Sequence, residues 1–176
     1  MYWYEKAYGF HYVALRYFNA AGATENFGEA HECESHLIPL VLRVAAGRSD
    51  SVEIFGSDYP TRDGTCVRDY VHVVDIARAH ILAFATLEQR SSIYNIGCGS
   101  DGYTVRDVID TARKVTGHPI PVRTGSRRPG DPATLIAANT KISSELGWSP
   151  TRQELGEIIE SAWKWMLRHP NGYAES

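Results

Sequence analysis

Two hydrophobic periods alternate along this chain. Leu37, Ile38, Leu40, Val41, Val44 and Ala45 recur at helical spacing, and Gly47 supplies a stop. The period returns at Ile76, Ala79, Ala83 and Leu87, where Asp75 is placed to cap the helix start. Thr104 and Asp107 have the spacing of a capping box opening a helix to Val115, with Gly117 behind it. A brief helix is expected around Ile142–Leu146, ended by Gly147. Thr151 with Glu154 reads as the capping box of a last helix carrying Ile158, Ile159, Ala162, Trp163, Met166 and Leu167 before Pro170. The opening residues to Tyr8 read as the end of a helix stopped by Gly9.

Between these helices lie short apolar runs of strand character. His11-Tyr-Val-Ala-Leu-Arg-Tyr-Phe18 is rich in β-branched and aromatic residues and reads as a buried strand. Val52–Phe55, Val71–Val74 and Ser92–Ile96 follow, with a short extended piece from Pro119 to Val122. Turn residues crowd Gly56–Gly64 and Arg127–Asp131, and an irregular acidic segment runs to about Ser35. The alternation predicts an α/β class, and no repeat or linker marks a second domain.

Composition narrows the picture. With 176 residues and 43% hydrophobic content, the chain can bury the core of one domain. Eighteen basic and 21 acidic residues leave a net charge of −3, which gives no electrostatic reason to expect nucleic acid or a membrane as partner. No apolar run approaches the roughly 18 residues of a membrane span. The first residues lack the basic start and apolar stretch of a signal peptide. Cys33, Cys66 and Cys98 are scattered and odd in number, as expected of reduced thiols in a soluble cytoplasmic protein.

Three local motifs invite a chemical reading. Gly97-Cys-Gly-Ser-Asp-Gly102 has dinucleotide-fingerprint spacing, but its helix starts only after the last glycine, so a structural turn is expected. Tyr2 and Lys6 match the Tyr-x-x-x-Lys proton-transfer pair, without a serine upstream to complete it. Glu29-Ala-His-Glu-Cys-Glu-Ser-His36 carries metal-ligand residue types, but His-x-Cys-x-x-His is not a standard zinc spacing, so a solvated acidic loop and no metal are expected. Arg68, at the start of a strand, and Arg127, Arg128 and Asp131 in one loop suit a different ligand. Guanidinium forks match diphosphate oxygens, and a carboxylate matches sugar hydroxyls.

Longer stretches carry a family likeness. Leu15-Arg-Tyr-Phe-Asn-Ala-Ala-Gly-Ala23 resembles the segment after the catalytic helix of UDP-glucose 4-epimerases, which are extended short-chain dehydrogenases. Phe55-Gly-Ser-Asp-Tyr-Pro-Thr-Arg-Asp-Gly-Thr-Cys-Val-Arg-Asp-Tyr-Val-His-Val-Val-Asp75 resembles a long signature of the same family. Ser92–Gly97, Arg127–Asp131, Leu146-Gly-Trp148 and the Trp-rich last helix follow in the family's order.

The resemblance implies that residues 1–176 are the C-terminal, substrate-binding half of an NAD-dependent epimerase. Its fold would be the last strands of an extended Rossmann-type sheet plus a small mixed α/β nucleotide-sugar domain. The Gly-rich half and the catalytic Tyr and Lys would precede the present residues, so Tyr2/Lys6 and Gly97–Gly102 fall in the wrong places. Strands 11–18 and 92–96 would then have uncovered edges. By the same resemblance Tyr17 and Phe18 would lie near the nicotinamide of NAD, and Asn19 near the diphosphate. His36 and Leu37 would stand beside the nucleotide, the histidine being a departure from Asn-Leu. Ile54 and Phe55 would line the uracil pocket, Arg68 and Arg128 grip the diphosphate, and Asp131 hold the ribose. Leu135 would form the pocket wall that varies with sugar size. The implied activity interconverts UDP-galactose and UDP-glucose through a 4-keto sugar. The fragment itself would be inactive, and a homodimer is expected only of the complete enzyme. Another nucleotide-sugar epimerase of the superfamily, or a UDP-sugar binding module without catalysis, stays open as an alternative.

Overall fold

The computed structural model describes residues 1–173. Its elements run α1 (Tyr2–Tyr8), β1 (Val13–Tyr17), β2 (Asn19–Ala21), α2 (Leu37–Ala45), β3 (Val52–Phe55), β4 (Val67–Arg68), β5 (Tyr70–His72) and α3 (Val73–Phe84). They continue with β6 (Ser92–Ile96), β7 (Tyr103–Thr104), α4 (Val105–Thr116), β8 (Val122–Gly125), β9 (Thr134–Leu135), α5 (Thr140–Leu146) and α6 (Leu155–Arg168). The expected α/β class is borne out.

The expected strand over residues 11–18 is two strands. β1 pairs in parallel with β6, Val13 opposite Ser92, whereas β2 pairs in parallel with β5, Asn19 opposite Tyr70. The chain bends at Phe18 and changes partner. β3 pairs in parallel with β8, and β4 lies between antiparallel β7 and parallel β9. β4 and β9, two residues each, are too short to announce themselves by alternation.

Two side-chain clusters hold these pieces together. Helices α2, α4 and α6 pack with β3 through Val41, Leu42, Ile54, Val108, Ile109, Ile158 and Ile159. Each such burial contributes about 1.5–3 kcal/mol before conformational entropy is counted. A second cluster joins Val71, Ile76, Tyr94, Ile96, Ile142 and Trp148 around α3, β6 and α5. Trp148 is fully buried, and its indole N–H donates to the Asp75 carbonyl at 2.9 Å. Helix α1 buries none of its residues. Among the described residues, no helix is long and apolar enough to cross a membrane.

The three capping expectations have different outcomes. The Thr104–Asp107 box forms: Thr104 Oγ1 accepts from the Asp107 N–H at 3.0 Å, and Asp107 Oδ2 accepts from the Thr104 N–H at 2.8 Å. Asp75 does not cap α3. The residue at that position is His72, whose Nδ1 accepts from the Val74 N–H. Asp75 lies one turn further on, with no exposed surface, and its carboxylate reaches Thr151 and Arg152. Thr151 is thereby taken from the second predicted box, and α6 starts after Glu154 with no side-chain cap.

Thr104 is fully buried and its hydroxyl also donates to Asp63 Oδ2 at 2.6 Å. Thr104→Ala is therefore expected to cost about 2 kcal/mol, the upper end of cap losses. Urea unfolding should show a lower midpoint at unchanged slope, and Thr104→Ser should recover most of it.

Candidate functional site

Parallel pairing of β4 with β9 sets Arg68 opposite Leu135 and brings the 127–133 loop against it. Arg68 Nη1 donates to the carbonyls of Val67 at 2.8 Å and Pro132 at 2.9 Å, so its guanidinium is fixed from one side. Its Nη2 lies 3.6 Å from Asp131 Oδ1, and Asp131 Oδ2 accepts from Arg128 Nε at 2.9 Å. One carboxylate between two guanidiniums leaves one positive charge uncompensated, which suits an anionic ligand. The Arg128 guanidinium lies 4.8 Å from the Phe55 ring centre, within cation–π range. Arg127, its sequence neighbour, is engaged elsewhere, bonded to Asp58 at 2.7 Å and lying over the Tyr59 ring.

These residues line a cleft of about 500 Å³, within the usual range for small-ligand sites. Of the residues singled out from sequence, Asn19, His36, Leu37, Phe55, Arg68, Arg128 and Asp131 all line it. Ile54 does not. Strand alternation turns its side chain into the core, at 2% exposure, so the wall expected of the Ile54–Phe55 pair is formed by Phe55. Leu135 and the aromatic pair Tyr17 and Phe18 are also outside the lining. Tyr17 and Phe18 are partly exposed at the C-terminal end of β1, the end of a parallel strand where ligands of α/β sheets bind.

The backbone wall of the cleft is held from α6. Asn19 Nδ2 donates to the Asp69 carbonyl, and the Ala23 N–H donates to Ser161 Oγ at 3.0 Å. Ser161 gives its own proton to the Ile158 carbonyl, so His72 Nε2, 3.1 Å away, must be the donor in their contact. His72 Nδ1 already accepts from Val74, which assigns the neutral Nε2–H tautomer. Burial, aided by the Arg152 charge, holds this imidazole below its ordinary pKa and keeps it neutral. Gly22 sits between these groups at φ +82°, where a Cβ would strike the His72 ring.

Sequence reasoning missed several lining residues: Glu29, Tyr70 and Trp165 among them. Trp165 is 4% exposed, stacks on His169 with ring centres 4.8 Å apart, and lies so close to Gly28 that a Cβ there would overlap its ring. Gly28, the residue that leaves room for the Trp165 ring, is the signal that the sequence offers.

The acidic segment is an irregular loop with most of its residues exposed, in line with its reading as a solvated loop. It folds back before α2, and donor atoms of Glu29, His31 and His36 lie within 4.8 Å of one another. His36 Nδ1 is 2.6 Å from Glu29 Oε1 and 2.9 Å from Glu34 Oε1. Burial and the neighbouring Glu34 raise the Glu29 pKa above the ordinary carboxylate value, against the pull of both histidines. Burial also works to raise Glu34, but hydrogen bonds from the His36 backbone and ring and from the Ser35 backbone outweigh it.

The remaining motifs have structural explanations. A Cβ at Gly97 would overlap the Ala137 carbonyl and the Asp69 carboxylate, so this glycine serves close packing. Burial and the adjacent Asp69 push the Cys98 thiol up to about 12, which leaves it unreactive at neutral pH. Tyr2 and Lys6 lie on the exposed α1, with the ammonium 5.6 Å from the phenol ring centre.

Comparison with known proteins adds an independent line. Residues 1–97 match the sequence model of the NAD dependent epimerase/dehydratase family. The chain is 52% identical over 176 residues to a UDP-glucose 4-epimerase of Halalkalibacterium halodurans, covering 98% of itself and 52% of that protein. It superposes on a crystal structure of a UDP-glucose 4-epimerase with TM-score 0.94 and 47% identity, covering 99% of itself and 54% of that chain. The UDP-glucose 4-epimerase of Bifidobacterium longum in complex with NAD+ and UDP matches with TM-score 0.89 and 38% identity, over 97% of this chain and 51% of that one. This chain thus spans about half the length of the relatives it matches.

Proposed function

Since this chain belongs to the NAD dependent epimerase/dehydratase family, we propose that it is the C-terminal, UDP-sugar-binding half of a UDP-glucose 4-epimerase. The observation that carries this reading is the Arg68–Asp131–Arg128 group on a cleft with an aromatic wall at Phe55. Its one uncompensated positive charge meets the diphosphate, and Asp131 is placed to take a ribose hydroxyl. Phe55, backed by the Arg128 guanidinium, offers the flat face that a uracil ring requires. Asn19, also in the lining, contributes its amide.

In the complete enzyme, C4 of the hexose is oxidised to a ketone and reduced again on its other face. NAD, when bound, supplies the hydride acceptor for that chemistry. Tyr17 and Phe18, exposed at the end of β1, fit as an aromatic wall for it. The part taken by these residues is anchorage: holding UDP firmly leaves the sugar free to present either face. In this reading Leu135, opposite Arg68 on β9, belongs to the sugar side, beyond the lining of the cleft. The complete enzyme is a homodimer in this reading, and the exposed aromatic face of α1 is covered by further protein.

Calorimetric titration of the 176-residue chain with UDP tests the anchor. We expect one site, with UDP-glucose and UDP-galactose competing about equally. Adding NAD and UDP-galactose should yield no UDP-glucose. Turnover would place the catalytic groups inside this chain, and absence of any UDP binding would remove the anchor itself. Tighter competition by UDP-glucuronate would move the reading to another nucleotide-sugar epimerase.

A further inference from the structure

The acidic loop before α2 holds a ligand set of which the nucleotide-sugar reading uses only His36. His31 Nε2 is 3.3 Å from Glu29 Oε1, and the His31 and His36 ring centres are 5.4 Å apart. In a tetrahedral zinc site with metal–ligand bonds of about 2.0–2.2 Å, neighbouring donor atoms stand about 3.3 Å apart. The His31–Glu29 pair already has that spacing. The His36–Glu29 pair, at 2.6 Å, has to open by a few tenths of an ångström.

Proton counting gives the second reason. His36 Nδ1 faces two carboxylate oxygens, from Glu29 and Glu34, yet has at most one proton to give. One of the two contacts is therefore left without a hydrogen, in a partly desolvated corner where Glu34 is only 2% exposed. A cation among Glu29, His31 and His36 replaces that unfavourable contact with a bond to each of the three. The Glu29 ligand and the neighbouring Glu34 carboxylate bring two negative charges against a divalent ion. The partial positive charge at the start of α2, about half a unit, opposes the ion but is small beside two full negative charges.

The ligands are also held in place before any ion arrives. Glu34 Oε1 accepts from the Ser35 N–H at 2.8 Å and the His36 N–H at 2.7 Å, and Arg43 donates to the His31 carbonyl at 3.4 Å. Such fixing lowers the ordering cost of binding. Imidazole with carboxylate donors selects a borderline divalent transition ion over calcium or magnesium.

We propose that Glu29, His31 and His36, with Glu34 holding His36 from behind, form a binding site for a zinc-class divalent cation that clamps the acidic loop to the start of α2. Glu29 and His36 also line the cleft, so occupancy stiffens one of its walls. The exposed Cys33 thiol, although it lies between the two histidines in sequence, is outside the donor group.

The test is calorimetric titration of the untagged, chelator-treated chain with ZnCl2, with Co²⁺ absorption as a second readout. We expect one equivalent bound at micromolar or tighter affinity, and visible Co²⁺ bands of four-coordinate type. His31→Gln and His36→Gln should each weaken binding at least tenfold, and Cys33→Ser should leave it unchanged. Both histidine side chains are more than half exposed, so these variants keep the fold, and their circular dichroism should match the parent. No saturable zinc binding, equal binding by the double histidine variant, or loss on Cys33→Ser would each overturn the site. The readout uses no nucleotide, so its failure is distinct from a failure of the UDP reading.

Discussion

Arg68→Ala is expected to weaken UDP binding to this chain by roughly 10- to 100-fold. Hydrogen bonds to charged groups contribute about 1.5–3 kcal/mol, and each 1.4 kcal/mol is a factor of ten in affinity. Arg68 is suited to an effect of this size because its side chain is only 14% exposed and is oriented by two backbone carbonyls. Little of its binding energy is spent on ordering a free side chain. The substitution leaves Asp131 paired with Arg128 at 2.9 Å, so no buried charge is orphaned and the effect should appear in binding rather than in stability. Arg68→Lys keeps the charge but not the fork and should fall between the two. Calorimetric titration with UDP, alongside an unfolding curve for each variant, separates the cases. Unchanged UDP affinity in a folded Arg68→Ala protein would place the diphosphate elsewhere.

Asp75→Ala is expected to be the most destabilising of these changes, at about 4 kcal/mol. The Asp75 carboxylate has no exposed surface and accepts from the Thr151 N–H, the Thr151 hydroxyl, the Arg152 N–H and Arg78. Arg78, about 40% exposed, can turn to water, and a hydroxyl can rotate. The two backbone N–H groups cannot move, and each orphaned donor costs about 1–3 kcal/mol. The substitution also frees the turn before α6, the helix whose Ser161 holds the cleft wall at Ala23. Asp75→Asn retains one acceptor oxygen and should lose about half as much.

The pH dependence follows from the same contacts. Burial works to raise the Asp75 pKa, but the hydrogen bonds from Thr151, Arg152 and Arg78 together hold it below the ordinary value. Its contribution is therefore fully present above the unfolded value of about 3.9. That contribution is lost as pH falls through the lower folded value. Burial raises Asp69, against hydrogen bonds from Cys98 and Ala137, so its contribution has the opposite sign. Subtracting the Asp75→Asn stability curve from the parent curve isolates Asp75. That difference should be flat at neutral pH and shrink below about pH 4.

Elements stabilised by their neighbours in sequence are legible from the residues alone. The Thr104–Asp107 box closes over three residues, and the left-handed stops at Gly117 and Gly147 answer to local geometry. The apolar faces of α2, α4 and α6 are likewise written in their spacing, because a helix face needs only the 3.6-residue period. The order of the motifs identifies the family, and the comparisons support it.

Tertiary contacts decided the rest. Asp75 has the residue type and position of a cap, but its partners at Thr151 and Arg152 lie 76 and 77 residues away, and that competition removed two predicted caps together. Ile54 and Phe55 are adjacent in sequence, and only the pairing of β3 with β8 determines which one meets the cleft. Arg68 joins Asp131 and Arg128 through a two-residue strand that no periodicity reveals. In the acidic loop all the ligands are visible within eight residues of sequence, yet their convergence depends on a chain reversal that residue spacing does not encode. Local free energies of capping and periodicity can be read along a chain. A functional side chain's neighbours depend on which distant surfaces pack, and only the folded protein supplies that.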